Sequence, residues 1–260
     1  RAVKFKGRYM TILKKSWERL CAIMAYADEW ALDMLYPPRC PFCDKVTEKS
    51  EPICPSCRKK IHLTGDTVCM WCGKPLSDKR TEFCMDCAKH KHHFIQGKAV
   101  WIYEKPVPES IYRFKYQNKR EYGRAYAKEM AERYGTWIRK RQIQAVVPVP
   151  LHKNRKRKRG YNQAEIIAEE LGKILGLPVY TNLLTRVRDT MPQKMLNQTE
   201  RKNNLKKAFK TTKSSVQLQY ILIVDDIYTT GSTLDAAAAA LIEAGSKGVY
   251  TCCVSMGRGY

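Results

Sequence analysis

The order of apolar and polar positions divides this chain into segments of different period. The most distinct begins at Tyr220, where Ile221, Leu222, Ile223 and Val224 complete an apolar run of five. A run that short and continuous predicts a strand buried on both faces, as in a parallel sheet. Asp225 and Asp226 follow at its carboxyl end, then a turn containing Thr229, Thr230, Gly231, Ser232 and Thr233. Alanine-rich Leu234 to Ala244, ended by Gly245, predicts a helix with its C′ glycine. A second unit of this kind lies upstream. Ala145 to Val149 predicts a strand kept short by Pro148. Asn162 with Glu165 three positions on marks a helix start, Ala164, Ile167, Ala168, Leu171, Ile174 and Leu175 form its apolar face, and Gly176 and Pro178 close it.

Ala99 to Tyr103, Val179 to Leu184 and Val249 to Val254 predict further strands. Cys252 and Cys253 in the last point to opposite faces and suit core packing. Between Glu109 and Lys140, apolar residues from Ile111 to Trp137 recur at helical intervals and predict two helices broken near Gln117 and Asn118. Lys115, Lys119, Arg120 and Arg124 on this stretch fit solvated faces as well as ligand contacts. Strands alternating with helices make an α/β fold with a central parallel sheet flanked by helices. Residues 1–39 are basic, then amphipathic: Trp17, Leu20, Cys21, Met24, Ala27, Ala31, Leu32 and Leu35 predict a helix ended by Pro37 and Pro38. Asp28, Glu29 and Asp33 would oppose anionic lipid, so this helix is expected to dock on its own protein. No run of about 18 apolar residues exists to span a membrane. Arg186 to Asn204, which includes Gln193 and Arg201, is polar, basic and without period, and suits a mobile lid.

Composition adds a partner. The 260 residues hold 48 Lys+Arg against 25 Asp+Glu, a net charge of +23. That excess is larger than solubility requires and points to an anion, either nucleic acid or a phosphorylated small molecule. With 44% hydrophobic and 28% charged residues the chain is globular and not disordered. The most concentrated charge is a basic loop after the Ala145 strand: Lys153, Arg155, Lys156, Arg157, Lys158 and Arg159. A solvated charge run, a pyrophosphate site and a nucleic-acid backbone contact are all open for it.

Eight of the eleven cysteines form four Cys-x-x-Cys pairs: Cys40 and Cys43, Cys54 and Cys57, Cys69 and Cys72, Cys84 and Cys87. The intervening gaps are 10, 11 and 11 residues. Two such turns make one tetrahedral four-sulfur zinc site, so four predict two structural zinc ions in an internally duplicated ribbon. Redox Cys-x-x-Cys motifs come singly, beside a βαβ pattern. Pairing first with second and third with fourth is expected, and spacing leaves a crossed arrangement open. With sulfur ligands complete, His90, His92 and His93 read as solvated linker residues. No signal peptide precedes the cysteines, so a reducing, cytoplasmic setting is expected; the chain starts at Arg1, which leaves its true N-terminus open. The expected division is residues 1–39 as the N-terminal segment, 40–87 as double zinc ribbon, 88–97 as linker and 98–260 as the α/β domain.

A strand, a donor-lined turn and a helix start form a phosphate site, because free N–H groups and the helix dipole favour an anion. Asp225 and Asp226 stand where acceptors for sugar hydroxyls or a metal are needed, so the expected ligand is a ribose carrying a 5-phosphate. Val224 to Thr233 resembles the phosphoribosyl-pyrophosphate (PRPP) motif of type I phosphoribosyltransferases. Together with Pro148 to Leu151, Arg159 to Ala164, Arg186 to Gln193, Arg201 to Phe209 and the double ribbon, it is similar to the ComF/ComFC family of competence-associated proteins. Tyr161 stands where that family more often has Phe. The resemblance implies a type I phosphoribosyltransferase-like domain and a role in uptake of single-stranded DNA. It also implies a helicase-like ATPase partner in the cytoplasm, at the inner face of the membrane beside the uptake machinery. By matching positions, Asp225 and Asp226 would hold ribose hydroxyls, directly or through Mg²⁺-bound water, and Thr229 to Thr233 the 5-phosphate. The loop after Val149 would take pyrophosphate, and Arg186 to Asn204 would be the mobile loop. The acceptor, turnover itself and any homo-oligomer are left open; the alternative is a working phosphoribosyltransferase of nucleotide metabolism or salvage.

Overall fold

The computed structural model describes residues 37–187, 208–212 and 217–258. The amphipathic stretch before Pro37 and Gln193, Arg201 and Asn204 of the expected lid lie outside these residues. Four strands, β1 (Gln96–Ile102), β2 (Ala145–Pro148), β5 (Tyr220–Tyr228) and β6 (Gly248–Met256), form a parallel sheet in the order β1-β6-β5-β2. The inner strand β6 is buried at every residue, as packing on both faces requires. Leu222, Val224, Cys252 and Val254 pack on one face, while Ile221, Ile223, Val249 and Cys253 pack on the other. Adjacent Cys252 and Cys253 thus enter different cores, as their alternation demands.

Helices α3 (Val107–Tyr116), α4 (Tyr122–Lys140) and α6 (Gln163–Leu175) supply the first face, and α7 (Ser232–Glu243) the second. The break between α3 and α4 falls at Gln117 to Glu121, with Asn118 at a positive φ of 54°. Asn162 caps α6 by accepting from the Ala164 N–H, and Gly176 in the left-handed region ends it.

Three elements differ from the sequence reading. The basic loop is a helix, α5 (Lys153–Arg159), which starts after His152, whose Nδ1 accepts from the Asn154 N–H, and ends at Gly160 with φ 80°. A run of Lys and Arg has good helix propensity, and these terminators confine it to seven residues. The apolar strand is also longer than its apolar run: β5 continues through Asp225 and Asp226 to Tyr228, held by pairing with β6 through Tyr228. Last, Val179 to Leu184 is not one strand. Val179 makes a single parallel bridge to Val146, and after a turn β3 (Leu184–Arg186) pairs antiparallel with β4 (Phe209–Thr211) in a separate sheet.

The ribbon is two copies of one turn. Cys40 N–H bonds to Lys45 O and Asp44 N–H to Cys40 O; Cys69 N–H bonds to Lys74 O and Gly73 N–H to Cys69 O. Asp44 (φ 64°) and Gly73 (φ 79°) take the same left-handed position. Asp44 is held there by Lys119 Nζ at 2.8 Å and the Tyr122 hydroxyl at 2.8 Å. Short helices α1 (Pro55–Arg58) and α2 (Met85–Lys89) carry the fourth cysteine of each set, Cys57 and Cys87. The first knuckle joins the core of the α3/α4 face and the second that of the α7 face. Between them His62 to Thr64 runs along β1, with Thr64 N–H to Val100 O at 3.1 Å and Ile102 N–H to His62 O at 2.8 Å. Residues 88–97, expected as a linker, carry the end of α2, Phe94 buried in the α7-side core and the first residues of β1.

The second knuckle meets β1 backbone to backbone. Gly97 N–H bonds to Trp71 O at 2.7 Å, and a Cβ on Gly73 would stand 2.5 Å from Gly97 O. Gly73→Ala, overpacked and strained in φ, is expected to destabilise the fold by about 1–3 kcal/mol. Gly65→Ala shares the positive φ but meets nothing within 4 Å, so it isolates the backbone strain. Urea unfolding of both variants checks this, and equal losses would remove the close approach as the cause.

Candidate functional site

The carboxyl end of β5 brings three chemistries together. Asp226 is buried and pairs with Lys115 Nζ from α3 at 2.8 Å. Asp225 accepts from the Asp226 N–H at 2.8 Å. Burial first, then the Asp226 charge, pushes the Asp225 carboxyl up to about 7, while Lys115 and Arg186 pull it back. Beyond Tyr228 the chain exposes Thr229 and Thr230 and turns at Gly231 with φ 76°. Helix α7 then starts at Ser232 with no side-chain cap. Uncapped N–H groups at a helix start are the arrangement that binds an anion. Thr230 Oγ1 lies 2.8 Å from Ser232 Oγ, so the turn's hydroxyls are already gathered.

Lys115 is the residue that sequence reasoning undervalued. Its helical position shows only a charge beside apolar neighbours, and its partner comes from a strand distant in the chain. Arg186, expected in the lid, ends β3 with its guanidinium 5.5 Å over the Phe209 ring. The other cationic cluster lies on α5. On α5, Lys156 pairs with Glu165 at 3.2 Å, and Arg159 donates to Gln163 Oε1 at 3.0 Å and Tyr116 Oη at 3.1 Å. Lys153, Lys156, Arg157 and Lys158 are exposed.

The cysteines form two sets, Cys40, Cys43, Cys54 and Cys57, and Cys69, Cys72, Cys84 and Cys87, with sulfurs all within 4.8 Å of one another in each. This is the sequential pairing. A tetrahedral zinc with bonds of about 2.3 Å sets its sulfurs about 3.8 Å apart. Cys43 to Cys54 and Cys72 to Cys84 are each 3.6 Å, so both sets fit structural zinc with no ligand position left open.

The second set abuts the turn after β5 along two paths. His92, expected as a solvated linker residue, is instead nearly buried, stacked on Phe94 at 4.5 Å, with Nε2 3.4 Å from Cys87 Sγ and Nδ1 3.5 Å from Asp235 of α7. His93 bonds the same carboxylate through its backbone N–H and its ring. Burial pushes Asp235 up, but these hydrogen bonds outweigh it and hold the carboxyl below its ordinary range. On the other path Lys74 Nζ lies 2.6 Å from Asp86 and 5.8 Å over the Tyr228 ring, whose hydroxyl would stand 2.2 Å from a Cβ on Gly231.

Three outcomes follow from these contacts. The folded Asp225 carboxyl titrates near 7 and the unfolded one near 4. Between them the folded state holds the extra proton, so this group's contribution makes stability fall as pH rises through the window. Asp225→Asn is expected to melt above the native chain at about pH 8, the gap closing toward about pH 4; a gap independent of pH would contradict this. Elemental analysis should return about two zinc ions per chain. His92→Ala should keep both while speeding amide exchange in the first turn of α7, and unchanged exchange would remove His92 as the link.

A double zinc ribbon family model matches residues 31–88, and a phosphoribosyl transferase domain model matches residues 130–259. The chain is 31% identical to Competence protein F of Haemophilus influenzae over 211 residues, 74% of this chain and 91% of that protein. It is 30% identical to Competence protein ComFC of Bacillus subtilis over 206 residues, 77% of this chain and 82% of that protein. DNA utilization protein YhgH of Escherichia coli is 29% identical over 205 residues, 78% of this chain and 89% of that protein. Two four-sulfur centres built against a parallel sheet flanked by helices agree with both domain matches, and the chain belongs to the ComF/ComFC family.

Proposed function

We propose that this chain handles single-stranded DNA during natural competence and binds PRPP, or another ribose phosphate with Mg²⁺, at the carboxyl end of β5. The observation that carries the reading is one of placement. Strands β2 and β5 are adjacent and parallel. The basic helix after β2 and the phosphate turn after β5 therefore leave the sheet at the same edge, where open α/β sheets bind ligands. The competence and DNA-utilization names of the relatives and the +23 charge support the DNA part. In this reading Lys115 neutralises Asp226, leaving Asp225 to meet ribose hydroxyls or a Mg²⁺-bound water, while Thr229 to Thr233 hold the 5-phosphate. The pyrophosphate lies over the loop at Val149 to His152. Arg186 adds its charge to the same site. A helicase-like ATPase is the expected partner, at the cytoplasmic face of the membrane.

Single-stranded DNA affinity is expected to fall steeply with salt, and replacing Lys156, Arg157 and Lys158 by Ala should flatten the log–log salt slope by about 2. Binding insensitive to salt would overturn the DNA reading. PRPP and a DNA oligomer titrated against one sample separate the sites: competition places both in one cleft, and independence divides them.

The adjacent carboxylates, with Asp226 buried, and the transferase-domain match also favour a second reading, a working phosphoribosyltransferase. It requires pyrophosphate release from PRPP with an acceptor, lost when Asp225 and Asp226 become Asn. A nucleobase and amine screen without release would count against it.

A further inference from the structure

Helix α3 carries two large side chains that the fold does not use. Val107, Ser110, Ile111 and Phe114 bury its inner face. Tyr112 and Tyr116, one turn apart, remain 57% and 56% exposed. Their rings stand together, centroids 5.0 Å apart and tilted by 45°. Arg159 of the basic helix covers one side of Tyr116, its guanidinium 4.9 Å from the ring centroid and its NH2 3.1 Å from the hydroxyl. Lys115, between the two tyrosines in sequence, turns inward to Asp226. A helix places residue 112 beside both 115 and 116, so the aromatic pair flanks the lysine that pairs with Asp226. The acidic residue one turn earlier, Glu109, faces Lys105 at 3.9 Å. The surroundings of the pair on the α5 side are cationic.

We propose that Tyr112 and Tyr116 are a base-stacking platform for single-stranded DNA, with α5 holding the backbone phosphates beside it. This rests on the DNA reading above and names the part of the surface that takes the bases. Every base has a π-face, so two exposed aromatics next to a cationic track bind a strand without reading its sequence. Duplex DNA keeps its bases stacked on each other and gains nothing from the rings. Arg159 serves both halves: it fixes the orientation of the Tyr116 ring and adds its charge at the junction between ring and track.

The test compares a labelled thymidine oligomer of about 20 nucleotides with an abasic oligomer of equal length, by fluorescence anisotropy, on the full chain. Tyr112→Ala with Tyr116→Ala should weaken the thymidine strand about tenfold or more. Tyr112→Phe with Tyr116→Phe, which keeps the rings, should stay within about threefold of the native chain. The salt slope should be the same in all three proteins, since no phosphate contact is removed. The abasic strand should bind the native chain and the Ala pair equally. Zinc content and melting temperature of the Ala pair report that it is folded. Equal thymidine binding by the native chain and the folded Ala pair overturns the platform alone, as does an abasic strand that binds the native chain as tightly as thymidine. Absence of any salt-sensitive binding by the native chain overturns the DNA reading and the platform with it.

Discussion

A parallel sheet ends in edges whose backbone groups need partners, and the edge at β1 sets the arrangement of this protein. The N–H of Ile102 and the carbonyl of Val100 pair with His62 and Thr64 in the segment joining the two cysteine knuckles. Unpaired, that edge would invite another strand. Satisfying it places one knuckle on each face of the sheet, because the joining segment passes over the edge itself. The ribbon cannot build a core from so few residues, so zinc closes each turn and the sheet supplies the remaining contacts. Phe42 against Trp101 at 5.3 Å and Arg58 to Glu129 at 2.6 Å tie the first knuckle down; Gly73 against Gly97 ties the second.

That placement carries a structural element into the neighbourhood of the candidate site at the carboxyl end of β5. The second knuckle, fixed at β1, reaches across to α7 through His92 and Asp235 and to Gly231 through Lys74 and Tyr228. The start of α7 carries no side-chain cap. The contacts that brace it come instead from behind, Tyr228 against Gly231 and Asp235 on His92 and His93. Two carboxylates, Asp225 and Asp226, at the end of an otherwise apolar strand oppose burial, and Lys115 offsets one of them. The site is therefore costly to the fold, as binding sites commonly are.

Local pattern determined a good deal of this. The apolar run at Tyr220, the Asn162 cap with Gly176, the helix break at Asn118 and the spacing of the cysteine pairs each express a short-range rule. Buried strands need continuous hydrophobes, orphan N–H groups need acceptors, and zinc needs paired thiolates. The strand, turn and helix start from Tyr220 to Ser232 were legible for the same reason, since they are contiguous. Tertiary structure decided what depends on residues far apart in the chain. Lys115 becomes part of the site only when α3 lies beside β5, and His92 leaves solvent only when α7 packs against the second knuckle. Strand β5 runs through two aspartates because β6 pairs with it, against the local preference of those residues. The basic segment after β2 showed the limit from the other side: charge alone does not say loop or helix, and His152 and Gly160 settled it as a helix. Sequence fixes which chemistry each segment carries; the packing of distant segments, through pairing and burial, selects which of those groups face one another.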